Sequence, residues 1–126
     1  MTVGELFAYV DDIKPNAFTA EQKMIWLNEL EARIQKDVLL RWRGEWEQYR
    51  WPEDKDVSPL LDPPDDAMYR HWLEAMIDYA NGEYDKYQNT AALFNQVWNA
   101  FVARFATRYR PADGYDRRWE GGGFRT

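Results

Sequence analysis

The stretch Tyr69–Arg110, YRHWLEAMIDYANGEYDKYQNTAALFNQVWNAFVARFATRYR, decides how the rest of the 126-residue chain is read. Apolar and aromatic residues recur in it at Tyr69, Leu73, Met76, Ala80, Tyr84 and Tyr87. They recur again at Phe94, Val97, Trp98, Phe101, Phe105 and Tyr109. Steps of three and four are the repeat of an α-helix with one buried face, whereas a strand needs a step of two. The spacing predicts two helices with aromatic stripes. Three divisions between them are open. Asn81-Gly82 can end a helix, since both residues tolerate the left-handed conformation. The apolar rhythm runs through it, however, which makes Gly82 an interior glycine costing about 1 kcal/mol. A break at Gln88-Asn89-Thr90 is favoured, because Asn89 or Thr90 can N-cap the helix beyond it. One rod from Asp65 to Tyr109 ranks below that break.

Working outward toward the N-terminus, Thr2 to Val10 predicts a short helix with Leu6, Phe7 and Val10 facing a core. Asp11-Asp12-Ile13-Lys14-Pro15-Asn16 reads as a turn, the residue before proline being pushed out of helical geometry. Thr19 opens a second helix, with Gln22 as its capping-box partner. Leu27, Leu30, Ile34 and Val38 give that helix an apolar stripe reaching to about Leu39. Glu29-Arg33 and Glu31-Gln35 are expected on its wet side, the first as an i,i+4 ion pair.

Arg41–Asp62 predicts a long connecting loop, interrupted by Gly44 and Pro52 and carrying Trp42, Trp46, Tyr49 and Trp51. Its rings and arginines could form a nucleic-acid stacking surface. Glu45, Glu47, Glu53, Asp54 and Asp56 favour rings that cover the bundle instead. Val57 to Leu61 reads as a short extended segment. Asp62-Pro63-Pro64-Asp65-Asp66 starts the next helix, with prolines where no amide is needed and acids at the positive dipole end. After Arg110-Pro111, the remaining residues through Gly121-Gly122-Gly123 have no periodicity and predict an extended tail. The whole is expected to be all-α, a small bundle of about four helices over residues 1–110, followed by an interaction segment at 111–126.

Composition narrows the function. The chain is 45% hydrophobic and has no cysteine, so it can bury a core without disulfides or Cys-ligated metal. No apolar run approaches the ~20 residues that span a bilayer. MTVGELFAYVDDIK lacks the basic start and apolar centre of a signal peptide, so a cytoplasmic protein is expected. Twenty-one aromatic rings, 17% of the chain, suit either a bulky core or surfaces awaiting a partner. Charge is uneven. Residues 1–103 hold 10 basic and 19 acidic residues, a balance of −9, while residues 104–126 hold six arginines and three acids, a balance of +3. The acidic body argues against general affinity for nucleic acid. Arginine in the tail suits protein interfaces as well as phosphate.

Catalytic signatures are sparse. His71, Glu74 and Asp78 lie one turn apart and could share a helix face that holds a metal weakly. A di-iron bundle would need Glu-x-x-His on two helices. Glu83 and Asp85 read as solubilising. No glycine-rich phosphate loop precedes a helix, and Ser58 is the only serine. An enzyme is not expected, nor a cofactor or metal.

The segments LFAYVDDIKPNAF, WLNELEARIQ and LEAMIDYANGEYDKYQNTAALFNQVWNAFVARFATRYRP resemble small proteins of the head and neck genes of tailed phages and prophages. These are similar in turn to the head–tail connector, or adaptor, family of long-tailed phages. The resemblance covers roughly residues 5–115. It implies a viral structural protein, placed in the host cytoplasm before assembly and in the neck of the virion afterwards. It further implies a homo-oligomeric ring, commonly of twelve subunits, that binds the portal protein and the next neck or tail-completion protein. Genome DNA would pass through the ring without sequence-specific binding, and no membrane is involved. On that resemblance the tail meets the portal or a neighbour through Arg110, Tyr115, Arg117, Arg118, Trp119, Phe124 and Arg125. Trp42, Trp46, Tyr49, Trp51 and Trp72 become candidates for subunit contacts. Another neck or tail-completion protein, a small nucleic-acid-binding helical protein and a small metal enzyme using His71 are the alternatives.

Overall fold

The computed structural model describes residues 1–38 and 48–108, with side chains given through Asp37 and from Gln48 to Phe105. Four α-helices run in the order α1 (Val3–Ile13), α2 (Ala20–Arg33), α3 (Ala67–Ala80) and α4 (Tyr84–Arg108), and the described residues contain no strand. The protein is all-α, as its periodicity predicts. Residues 39–47 and 109–126 lie outside the described part, and with them Trp42, Trp46, the arginine-aromatic tail and the extent of the tail itself.

Helix α1 begins with a reciprocal cap. The Thr2 hydroxyl accepts from the Glu5 amide at 3.1 Å, and the Glu5 carboxylate accepts from the Thr2 amide at 2.9 Å. Val3, Leu6, Phe7 and Val10 form its buried stripe. The helix continues three residues past Val10, through the acids expected in a turn, and the Lys14 amide closes it on the Val10 carbonyl at 2.8 Å. The turn starts later because Asn16 builds it: its side-chain amide donates to Asp11 and to the Lys14 carbonyl, and its oxygen accepts from the Phe18 amide. Thr19 caps α2 as expected, accepting from the Gln22 amide at 3.1 Å.

Leu27, Leu30 and Ile34 are fully buried on α2. Glu31 is buried with them, contrary to the expectation of a wet side for Glu31 and Gln35. Positions 27, 30, 31 and 34 lie on one face of an α-helix, so Glu31 goes inward with its apolar neighbours. Past Arg33 the helix widens into a π-turn over Ile34–Val38.

The hairpin of α3 and α4 turns at Asn81-Gly82, not at Gln88-Asn89-Thr90. Gly82 takes φ +74°, and the Gly82 and Glu83 amides donate to the Tyr79 and Asp78 carbonyls, which closes the end of α3. The apolar rhythm Ala80–Tyr84–Tyr87 crosses the break, since Ala80 ends α3 and Tyr84 begins α4. The turn is held by rings that meet across it, Tyr79 lying 5.7 Å from Tyr84 and 5.3 Å from Tyr87 between ring centres. Helix α3 itself starts at Ala67, after a turn over residues 63–66.

Helix α3 is the centre of the bundle and packs against each of the other three. It buries Met68, Tyr69, Leu73, Ala75 and Ile77, a wider arc than one stripe. Phe94 and Phe101 of α4 complete the core, with Val97, Trp98 and Val102 partly covered beside them.

Candidate interaction surfaces

Two buried carboxylates organise the polar side of the core. Glu31 accepts from the Tyr69 and Tyr49 hydroxyls, each at 2.6 Å, and from the Leu60 amide at 2.9 Å. The Leu61 amide donates in turn to the Tyr69 hydroxyl at 3.0 Å. One side chain thus ties α2 to α3 and to both ends of the described loop. Burial first, and then the negative charge of Glu31, raises both tyrosine hydroxyls well above their ordinary value of 10.0. Asn28 adds a two-way bond to the Tyr49 backbone, accepting from its amide at 2.9 Å and donating to its carbonyl at 3.1 Å.

Asp78, fully buried on α3, pairs with Lys14 at 3.0 Å and accepts from the Thr90 hydroxyl at 3.1 Å. Thr90 therefore bridges the two long helices and does not cap one. Lys23 is also buried; its ammonium meets the Phe18 carbonyl at 2.9 Å and Asp11 at 2.8 Å.

His71 is nine-tenths buried, with Arg70 3.2 Å from its Nε2 and the Glu74 carboxylate 3.8 Å from its Nδ1. Burial and then the Arg70 charge lower its pKa from the usual 6.5, partly offset by Glu74. His71, Glu74 and Asp78 do lie along α3, but Asp78 is committed to Lys14 and Thr90, and no group of three His, Asp or Glu converges as metal ligands among the described residues.

The described aromatic candidates are engaged within the chain. Trp51 packs on Phe7 at 5.4 Å, and Trp72 packs on Phe94 at 5.2 Å while its indole donates to the Trp26 carbonyl at 2.7 Å. Tyr49 is held by Glu31. Each stays only partly covered, so each still offers an edge to a neighbour. A cleft of about 310 Å³ lies between α1, α3 and the loop, with Leu6, Leu61 and Tyr69 on its apolar side and Asp66 and Arg70 at its polar one. Arg70 lies over the Tyr9 ring at 5.7 Å.

Tyr79 and Tyr84 are each more than half exposed at the α3–α4 turn, and Leu93 is exposed on α4. Sequence reasoning missed the outward side of α4. The available signal was the absence of any charged residue from Gln88 to Ala103. No described helix is long and apolar enough to cross a membrane. Compared with protein-family models, with curated proteins and with solved structures, the chain finds no match.

Proposed function

We propose that this chain is a head–tail connector subunit of a tailed phage or prophage, one copy of a ring that sits below the portal, joins capsid to tail and lets DNA pass. The observation that carries the reading is where the resembling segments fall. LFAYVDDIKPNAF spans most of α1 and the turn after it, WLNELEARIQ lies on α2 and its π-turn, and the long segment from Leu73 covers most of the α3–α4 hairpin. All three belong to one packed core, so the likeness tracks a folding unit and not scattered phrases. Helix α4 leads directly into the arginine-aromatic residues 109–126, which supply Arg110, Arg117, Arg118 and Arg125 for pairing with acids of the portal and Tyr115, Trp119 and Phe124 as anchors. The acidic body, with its balance of −9 over residues 1–103, keeps a lumen from gripping the DNA that slides through it. The finished particle is the site of action, and the host cytoplasm is where the subunit waits.

The test is the mass of the full-length chain mixed with its cognate portal ring, beside a chain truncated after Pro111. A ring-on-ring complex formed by the full-length chain alone supports a tail-anchored connector. A chain that ignores the portal and shifts on DNA overturns it in favour of a nucleic-acid-binding protein.

A further inference from the structure

We infer that the outward face of α4 between Gln88 and Ala103 is a docking surface for a second copy of this chain. The run QNTAALFNQVWNAFVA contains no Asp, Glu, Lys or Arg, although 30% of the chain is charged. Thr90, Phe94 and Phe101 turn inward, which accounts for part of the run. Gln88, Asn89, Ala92, Leu93, Asn95, Gln96, Asn99 and Ala100 are exposed, and a helix face left in water ordinarily carries charge. The outward side of α2 does so, with Glu21, Glu29 and Arg33 exposed. Depletion of charge is the compositional mark of an interface centre.

Charge also identifies the occupant. Two copies of a chain of net charge −6 repel each other through most of their surfaces. The uncharged face of α4 is where they can approach with least repulsion and with no ion to desolvate. Ala92 and Gln96, and beside them Asn95 and Asn99, are i,i+4 neighbours in two adjacent rows of this face. Alanine there lets two helix backbones come close, and amides both donate and accept, so they can satisfy one another across a contact. Nucleic acid would be repelled by the surrounding acids, and a basic partner would be drawn to those acids instead of to this face.

The face is about 22 Å long at 1.5 Å per residue. A single helix-on-helix contact of that length falls short of the ~1,200–2,000 Å² buried in a stable standard interface, so pairing is reversible and concentration-dependent. Salt strengthens it, because screening removes repulsion between acidic bodies and there is no ion pair in the contact to weaken. The inference stands apart from the connector reading, because an α4-on-α4 contact is two-fold and closes at two copies, whereas a larger ring is built from a different, head-to-tail contact. A chain that pairs through α4 but ignores the portal keeps this surface and loses the connector.

The experiment is sedimentation equilibrium of the full-length chain at low and high salt. It compares the natural sequence with Ala92→Glu/Asn99→Glu and with Ile25→Glu/Ser58→Glu, which adds the same charge at exposed positions elsewhere. The natural chain should gain mass with concentration, more so at high salt. The α4 variant should need about tenfold more protein to associate, and the control far less than that. Mixing Ala92→Glu/Asn99→Glu with Ala92→Lys/Asn99→Lys should restore association, which separates a lost contact from a lost fold. A chain that stays monomeric throughout, an α4 variant no worse than the control, or association that weakens with salt would each overturn the proposal.

Discussion

Glu31 gathers three long-range donors, from Tyr49, Leu60 and Tyr69. Replacing it by Gln turns one acceptor oxygen into a donor, which must then face a hydroxyl or an amide. Glu31→Gln should destabilise the protein by about 1–3 kcal/mol, read from the urea midpoint. Its tyrosine partners make an alkaline prediction. Their folded pKa values are raised, so their contribution to stability is complete below the unfolded value of 10.0 and is lost as pH rises above it. In a spectrophotometric titration of the eight tyrosines, Tyr49 and Tyr69 should ionise only as the chain unfolds, and Tyr49→Phe/Tyr69→Phe should remove that lag. The single histidine works in the opposite direction. Its folded pKa is lowered, so stability is complete above the unfolded 6.5 and falls as the solution is acidified below it. The His71 ring signal in NMR should titrate below 6.5, and His71→Gln should flatten the acid-side loss between pH 6.5 and 5. The apolar stripe of α2 was legible in sequence, but Glu31 was not read into it. A carboxylate signals solvent unless its partners are known, and those partners lie 18 to 38 residues away.

At the level of elements, the α3–α4 turn is the instructive case. Gly82 has open space around it, so a side chain there meets no neighbour and pays only for the backbone at φ +74°. Gly82→Ala should cost about 1–2 kcal/mol by chemical denaturation, with Gly82→Asn nearer to neutral. Thr90 gives the complementary test. Thr90→Val should lose the bond to Asp78, at about 1 kcal/mol, and leave helical content by circular dichroism unchanged. A helix-capping Thr90 would instead lower that content. Periodicity carried the existence and type of these helices because burial of one face repeats with the helical turn. It could not locate the break, because Ala80, Tyr84 and Tyr87 keep steps of four and three although Ala80 ends one helix and Tyr84 begins the next.

Across the whole molecule, a segment with no helix of its own fastens the bundle. The Lys55 and Val57 carbonyls accept from the Gly4 and Val3 amides at 2.8 and 2.9 Å, satisfying first-turn donors of α1 that the helix cannot. Gly4 permits this approach, since a β-carbon there would lie 3.1 Å from the Lys55 carbonyl oxygen. Gly4→Leu should push the loop away, costing about 1–3 kcal/mol and raising the rate of tryptic cleavage at Arg50 and Lys55. The sequence by itself determined the all-α class, most of the helices, the cap at Thr19 and the uneven distribution of charge. Each of these is written locally, in spacing within a few turns or in the count of residues along the chain. Only the tertiary structure decided that α3 lies at the centre, that Glu31 and Asp78 are buried, that the hairpin turns at Gly82 and that α4 shows an uncharged side to solvent. Those facts depend on which side chains meet across long separations, and a buried polar group or an open helix face is defined by its neighbours.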